Sequence, residues 1–502
     1  MRVAAVLMGG VCYALALPPF DLAAFGWLTL VPLLLAIRGE RTGSAFCYGA
    51  LLGYTSGWAV TWCFADAAAR YFQLSLPLAV VGVSLWYLVV CGVPFGLFAA
   101  ASALILRSYR FRSAGVLIPA LWVATEVLRG RWMGQPWGLL GYTQHGHLGL
   151  IQLAAWTGVY GVSFLVALGS VALAETTVRL CRGRGRALHS ILAPAAVISA
   201  CWAGGALFVH TSPAGGFGEH EVAIVQTNLA PAFHWTRSYT DAQVYAHQRA
   251  TDGLPNTAQP ALIVWPENSV PRYLETEPGL AAQLAGLAVR HRADLLFGGP
   301  RSDGRRVFNT ARLITASGQN GGYYDKQRLL LFAEEKRLIL SSTPAPNESP
   351  KEFTPGTRSG VLHSFVALGV SICHEIVHGD LIAQAVRDGA ELLVNIANDG
   401  WLDAGHEFAG RQHLAMAVFR AVETRRYLVR AATTGNSAVV DPYGRLVGWL
   451  PPGTTGVLTT KVAGRSTLTP YVRLGDLFGF VCVGVALTAL LRSKRQLACP
   501  QN

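Results

Sequence analysis

Seven apolar runs dominate the first 210 residues, and an eighth lies near the end of the chain. No other feature restricts the fold so strongly. A helix of about 20 apolar residues matches the ~30 Å hydrocarbon core of a bilayer. At that depth every backbone polar group must be satisfied internally, and a helix does this within one segment. The runs cover roughly 3–17, 22–37, 44–64, 77–106, 113–128, 150–178, 189–209 and 473–491. The first two are short for a crossing, with "LPPF" (Leu17–Phe20) as the turn between them; the fourth and sixth are long enough to tilt. Composition agrees, since 52% of the residues are hydrophobic and only 14% charged, a balance unsuited to a soluble chain of 502 residues. Residues 3–17 follow Arg2 and are followed almost at once by another apolar run, so they read as an anchor and not as a cleaved leader.

The formal net charge of +12 raises the question of nucleic acid, and the placement of the cations answers it. One set of alternate connections carries Arg2, then Arg38 and Arg41, then Arg107, Arg110 and Arg112. It continues with Arg179, Arg182, Arg184 and Arg186, and ends with Arg492, Lys494 and Arg495. The other set carries Arg70, Arg129, Arg131 and little else. Every cluster abuts an apolar run, which is the positive-inside pattern and not a nucleic-acid surface. The reading is a polytopic α-helical membrane domain of eight spans, with both termini cytoplasmic. Seven spans lie in 1–212, a large domain of 213–468 lies outside, and 469–502 hold the eighth span and a cytoplasmic tail.

That outer domain holds most of the Asp, Glu and Lys and reads as α/β. Strand-like runs are Glu221–Leu229, Ala261–Asn268, Ala293–Gly299, Arg306–Thr315, Phe365–Cys373 and Ala390–Asn398, and Arg426–Gly444 supplies two more. Helical patterns fall near 238–252, 276–291, 378–388 and 405–425. Strands alternating with helices of this length imply a layered sheet with crossover helices.

Of nine cysteines, only Cys373 lies in the outer domain, so no disulfide can form within it. A lone thiol in an oxidising compartment is a liability unless it is buried or used. Cys373 ends an apolar strand, and His374 and Glu375 follow at once in "SICHEIVHGD" (Ser371–Asp380). Neighbouring side chains on extended backbone point to opposite faces, so His374 is poorly placed as the base for Cys373. A metal site is disfavoured too, because a strand end cannot aim Cys373, His374, Glu375 and His378 at one ion. Partners are therefore sought at other strand ends. Glu267 stands just past an apolar strand in "LIVWPENSVP" (Leu262–Pro271), where a carboxylate at a core edge can have its pKa raised into the range of a base. Lys326 ends an aromatic strand in "GGYYDKQRLLLFAEE" (Gly321–Glu335), where a fixed ammonium would stabilise a thiolate or an oxyanion. Each alone reads as easily as a solvated surface residue.

Together the three segments resemble the nitrilase superfamily, whose Glu–Lys–Cys set lies on an αββα sandwich. Over almost its whole length the chain resembles the apolipoprotein N-acyltransferase family of the bacterial inner membrane. The matching stretches include "LALPPFDLAAFGWLTLVPLLLAI" (Leu15–Ile37), "EVLRGRWMGQPWGLLGYTQ" (Glu126–Gln144), "VQTNLAPAFHW" (Val225–Trp235), "WPENSVP" (Trp265–Pro271), "YYDKQRL" (Tyr323–Leu329), "ICHE" (Ile372–Glu375) and "NIANDGW" (Asn395–Trp401). The resemblance implies roles. Glu267 would be the general base, Cys373 the nucleophile and Lys326 the group that steadies the tetrahedral intermediate. Glu334, eight residues after Lys326, would be the second carboxylate, and Trp235 and Glu375 would support substrate binding and lid closure. It further implies a phospholipid acyl donor, mostly phosphatidylethanolamine, and the α-amine of a diacylglyceryl-cysteine apolipoprotein as acceptor. A thioester acyl-enzyme connects two half-reactions. No cofactor, metal or nucleic acid is expected; the chain is expected to act as a monomer in the inner membrane with its catalytic domain periplasmic.

The chain departs from the family pattern in places. "LFAEEKRL" (Leu331–Leu338) replaces an aromatic, proline-bearing segment, with Leu331 for Pro and Ala333 for Gly, and Glu335 adjoins Glu334. His374 stands where the family prefers Tyr, and Gly400 where it often has Ala. The apolar "LLLF" (Leu329–Phe332) and the loop Arg337–Pro350 are expected to form part of a lid at the membrane surface. Two other classes compete. A membrane-tethered nitrilase-like amidase or hydrolase would use the same three residues with water as acceptor. A transporter would want ionisable residues inside several spans, and apart from Asp66 and Glu126 the spans carry few.

Overall fold

The computed structural model describes residues 1–109, 111–183, 188–212, 218–232, 235–255, 257–330, 334, 352–403 and 407–498, with backbone alone at 111, 112 and 494–498. It divides into two compact units, Met1–Ser212 with Leu474–Asn502, and Pro213–Arg473.

The first unit is helical. Among the described residues three stretches are long and apolar enough to cross a membrane: Leu76–Ser108, Val159–Cys181 and His189–Thr211. Other runs give shorter apolar helices, Arg2–Ala16, Ala23–Ala36, Leu148–Thr157 and Leu477–Ser493. Two of the runs are broken well inside their length. The 22–37 run splits into a 3-10 turn, Ala23–Leu28, and a helix, Val31–Ala36, that begins with Pro32 in its first turn. Proline fits there because a first-turn N–H has no helical partner to lose. The 150–178 run breaks at Gly158, after the short helix Ala154–Thr157 and before Val159–Cys181.

The second unit is built on twelve strands: β1 (His220–Gln226), β2 (Leu262–Val264), β3 (Asp294–Ser302), β4 (Val307–Ile314), β5 (Asn320–Asp325), β6 (Val361–His363), β7 (Ala367–Ile372), β8 (Leu392–Ala397), β9 (Leu428–Ala432), β10 (Ser437–Val440), β11 (Leu446–Leu450) and β12 (Gly456–Val462). They form two six-stranded sheets, in the orders β12-β1-β2-β3-β4-β5 and β11-β10-β9-β8-β7-β6. The centre of each is parallel, β1 with β2 and β3, and β7 with β8 and β9. Helices α1 (Arg237–Asp252) and α2 (Pro278–His291) belong with the first sheet, and α3 (Gly379–Arg387) and α4 (Phe408–Thr424) with the second.

Strand alternation explains the layering. Val222 and Ile224 of β1 face a core shared with Val370 and Ile372 of β7 and Val394 and Ile396 of β8. Ala223 and Val225 face the other way, with Leu280, Leu284 and Leu287 of α2. Both faces of each central strand are thus buried, as parallel strands require. Burying one such Val, Ile or Leu side chain contributes about 1.5–3 kcal/mol. The result is the nitrilase-like αββα sandwich. β4 runs against β3 and β5 against β4, so β5 runs in the same direction as β2 and β3. The carboxyl ends of β2, β5, β7 and β8 then carry Glu267, Lys326, Cys373 and Asn398. In open parallel sheets this end is where crevices and ligands are found.

Candidate active site

Each of the three central residues leaves its strand in a fixed way. Trp265 seals the end of β2; it is fully buried and its Nε1 donates to Thr251 Oγ1 of α1 at 2.9 Å. Pro266 and Glu267 follow, pressed onto β3 at Gly298, where a Cβ would lie 2.7 Å from the Glu267 Cα. Any side chain at 298 would displace the carboxylate. Lys326 follows β5 directly, its N–H donating to Asn309 O and its carbonyl accepting from Gly356 N–H, both at 2.8 Å. Cys373 follows β7 at φ +53°, a left-handed conformation costing a non-glycine residue about 1–3 kcal/mol. It opens the 3-10 turn Cys373–Val377, so the chain bends sharply at the sulfur.

These strand ends converge on one buried charge cluster. The Lys326 ammonium lies 2.9 Å from Glu334 and 3.6 Å from Glu267 Oε1. Asn309 Nδ2 donates to Glu267 Oε1 at 2.8 Å and to Glu334 Oε1 at 2.9 Å, bridging the two carboxylates. The other oxygen of Glu267 accepts the Asn398 N–H at 3.0 Å, and that of Glu334 the Leu330 N–H at 2.8 Å. Cys373 and Glu267 lie close enough to bear on each other's protonation. Cys373, Glu267 and Lys326 are all buried.

The electrostatics follow from burial and charge count. Burial pushes the Glu267 carboxyl up, and Glu334 adds to this, while Lys326 pulls the other way; the net direction is up. Burial alone would lower the Lys326 ammonium, but Glu334 and Glu267 outweigh it and the group is held charged. Burial and then Glu267 push the Cys373 thiol well above its ordinary value, opposed by Lys326 and the Asn398 N–H. Two carboxylates already face one ammonium, and a thiolate would add a further negative charge. The resting nucleophile is therefore the thiol, with a base of raised affinity beside it. Such a site can pass a proton when a substrate carbonyl is ready to accept the electron pair.

Glu375 is fully buried and braces the site. Its Oε1 accepts from Tyr324 Oη (2.8 Å), Gln327 N–H (2.7 Å) and Arg328 N–H (3.0 Å), and its Oε2 from Ile372 N–H (2.8 Å). One carboxylate thereby ties the chain just past Lys326 to the residue just before Cys373. Burial raises its pKa, while these donors act in the opposite direction.

A second buried network lies behind the sulfur. Arg430 donates to both oxygens of Asp399 at 2.8 and 2.7 Å and to Asn395 Oδ1. Asn395 Nδ2 in turn donates to the Cys373 carbonyl at 3.3 Å. His413 Nδ1 lies 2.9 Å from Asp399 Oδ1, and the His374 ring is 5.9 Å from that of His413 and 5.6 Å from that of His378. Burial would raise Asp399, but Arg430 and His413 overcome it and hold the carboxyl down at about 2. His374 is pulled well below the ordinary imidazole value by burial, then by His378, His413 and Lys326.

Of the residues singled out in the sequence, Glu267, Lys326, Cys373 and Glu334 come together in the charge cluster and Glu375 joins them as a brace. His374 is buried beside the turn, in the histidine group and not in the charge cluster. Trp235 is half-buried just ahead of Thr236, the N-cap of α1, and is not among the hydrogen bonds and ion pairs of the cluster. Leu331–Phe332, Ala333, Glu335 and the expected lid loop Arg337–Pro350 lie outside the described residues. At Gly400 a Cβ would lie 2.9 Å from Pro231 Cδ and 3.1 Å from Thr434 Oγ1, so the departure from Ala matches a crowded site. Asn309, Asn398, Asp399 and Arg430 were not singled out as site residues. Their signals are a polar residue breaking an apolar strand run, as in "RVFNTARLIT" (Arg306–Thr315), and, for Asn398 and Asp399, their place in the matching stretch "NIANDGW" (Asn395–Trp401).

Comparison with known proteins bears on both units. Residues 9–172 match the family model of the apolipoprotein N-acyltransferase N-terminal domain, and residues 221–471 that of carbon–nitrogen hydrolases. An apolipoprotein N-acyltransferase of Geobacter metallireducens is 32% identical over 98% of this chain and 95% of its own length. Namesakes from Azotobacter vinelandii and Methylococcus capsulatus are 33% and 30% identical, over 98% and 99% of this chain and 96% and 97% of their own.

Proposed function

The chain belongs to the apolipoprotein N-acyltransferase family, and from that premise we propose how this membrane acyltransferase, which N-acylates lipoproteins, carries out its chemistry. The donor is a phospholipid, phosphatidylethanolamine above all, and the acceptor is the α-amine of a diacylglyceryl-cysteine. Glu267 is the general base, Cys373 the nucleophile and Lys326 the oxyanion stabiliser. Glu267 takes the thiol proton as the sulfur attacks the donor ester carbonyl. The developing oxyanion is held by the Lys326 ammonium. The intermediate collapses, the proton passes from Glu267 to the leaving oxygen, and lysophospholipid departs, leaving a thioester. The acceptor amine then attacks that thioester, Glu267 removes its proton, and collapse returns the sulfur and proton to Cys373.

Glu334 and Asn309 hold Lys326 and Glu267 at their working separation, and Glu375 fixes Lys326 relative to Cys373. Water must be excluded while the thioester waits. Cys373 is only 8% exposed, which supports that requirement. Trp235 would support substrate binding. Eight spans, cytoplasmic termini and a periplasmic catalytic unit in the inner membrane complete the reading, which the alternating arginine pattern supports. The carrying observation is the buried cluster of one thiol, one carboxylate and one ammonium at three strand ends.

Purified protein given labelled phosphatidylethanolamine and a diacylated lipopeptide should move label to the peptide amine, and Cys373→Ala should abolish this. Release of free fatty acid with no labelled peptide would instead identify a hydrolase.

A further inference from the structure

The first unit holds a partly open cavity of about 50 Å³ among the helices Arg2–Ala16, Thr42–Thr61 and Leu76–Ser108 and the 129–138 segment. Its polar wall is formed by Tyr13, Ser56, Thr61, Tyr87, Arg129 and Gln135. Most of these groups satisfy one another. Tyr87 Oη is 2.6 Å from Thr61 Oγ1 and donates to the Thr61 carbonyl at 2.8 Å, and Tyr13 Oη donates to the Gly138 carbonyl. Two groups remain. Ser56 Oγ and Arg129 Nη1 are buried and have no hydrogen-bond partner. Arg129 is 5% exposed and Ser56 3%.

The guanidinium is fixed by its other nitrogens. Nε donates to Val90 O at 3.1 Å, and Nη2 to Trp137 O at 3.2 Å and to Cys91 Sγ at 3.6 Å. Among the described residues Arg129 is the one charged side chain on the cavity wall. Glu126, one turn away in sequence, is not on that wall, and its Oε1 accepts from Trp122 Nε1 and the Leu140 N–H. An arginine buried in a helical membrane unit is costly and by default marks a functional site. Guanidinium also always carries its charge and favours phosphate oxygens. A single water needs only about 10–15 Å³ of such space, so the cavity has room for a tetrahedral oxyanion.

We propose that this cavity binds a phosphate group, with Arg129 Nη1 and Ser56 Oγ as donors to its oxygens and a phospholipid headgroup as its source. The choice of source rests on the membrane-acyltransferase reading; the anion chemistry does not.

The test uses full-length Cys373→Ala protein, delipidated in a non-ionic detergent, so that no turnover intrudes. Inorganic phosphate, dihexanoyl phosphatidylethanolamine and dihexanoylglycerol are titrated separately while thermal unfolding is followed. The phosphate-bearing lipid, alone or together with inorganic phosphate, should raise the midpoint and the phosphate-free glyceride should not. Arg129→Gln should weaken the response at least tenfold, with Arg129→Lys intermediate. Saturation by the lipid where inorganic phosphate is silent assigns the headgroup; equal saturation by both assigns a free anion in the same site. An unchanged response in Arg129→Gln, or stabilisation by the glyceride to the same extent, overturns the proposal. Should Arg129→Gln not fold, Ser56→Val decides instead, since it fills the wall with apolar bulk and must weaken phosphate binding likewise. Failed acyl transfer with Arg129-dependent phosphate binding would sink the proposed reaction and leave this site standing.

Discussion

Replacing Lys326 by Met would remove the one cation of the catalytic cluster while keeping much of its bulk. Glu267 and Glu334 would then share Asn309 Nδ2, at 2.8 and 2.9 Å, with no positive charge between them. Two carboxylates so placed cannot both stay ionised, so the pair takes up a proton. The lost attraction on Glu267 follows from its 3.6 Å separation from the ammonium. At an effective dielectric near 20 this is about 4–5 kcal/mol, or roughly a thousandfold in the protonation equilibrium. A protonated Glu267 cannot act as base. Thioester formation at neutral pH should therefore fall about 10²- to 10³-fold and recover in part as pH rises. The assay is quench-flow measurement of the acyl-enzyme from labelled phospholipid across pH 6–9. The decisive comparison is Lys326→Met/Glu334→Gln, which removes the like charge as well. Its pH profile should move back toward neutral, although oxyanion stabilisation is still missing. A pH-independent loss in the single variant, or no return in the double, would refute the like-charge argument and leave Lys326 with a role at the oxyanion only.

Two further outcomes are expected. In Glu375→Gln the amide oxygen can still accept from Tyr324, Gln327 and Arg328, but its NH₂ must face the Ile372 N–H, now 2.8 Å from Oε2. The mismatch should cost about 1–3 kcal/mol and slow acyl transfer and Cys373 alkylation together; slowed transfer with unchanged alkylation and unfolding midpoint would disprove the brace. His374 has a depressed pKa in the folded chain, so the unfolded chain binds the proton first. Its contribution is intact above the unfolded value of about 6.5 and is lost as pH falls below it. Buried His413 and His247 share that direction, so His374→Phe should flatten only part of the drop in unfolding midpoint between pH 7 and 5; an equally steep drop would count against it.

Much of the catalytic unit was legible in local pattern. β2, β4, β7, β8, β9 and β10 lie within the strand-like runs, and β1 and β3 overlap theirs, because their apolar residues pack on both faces of a sandwich; helices α1 to α4 carry the helical period. β6, β11 and β12 escaped notice. β6 has three residues, and β11 is largely exposed and so lacks an apolar signature. The two broken apolar runs show the same limit, since hydropathy registers an apolar stretch but not the turn that interrupts it.

The order of residues by itself singled out Cys373, as the one thiol of its domain, and put a carboxylate and an ammonium at strand ends. Tertiary structure alone decided which groups surround them. The Asn398 N–H reaches Glu267 across 131 positions of sequence, and Arg430 reaches Asn395 across 35. Periodicity reports which face of an element is apolar, because burial repeats with the backbone. A hydrogen bond between two strand ends depends on sheet register and direction, which no local window contains. That is why Glu375 could be recognised as part of the site from its motif, while its action, one carboxylate joining the Lys326 and Cys373 strands, emerged only in the folded chain.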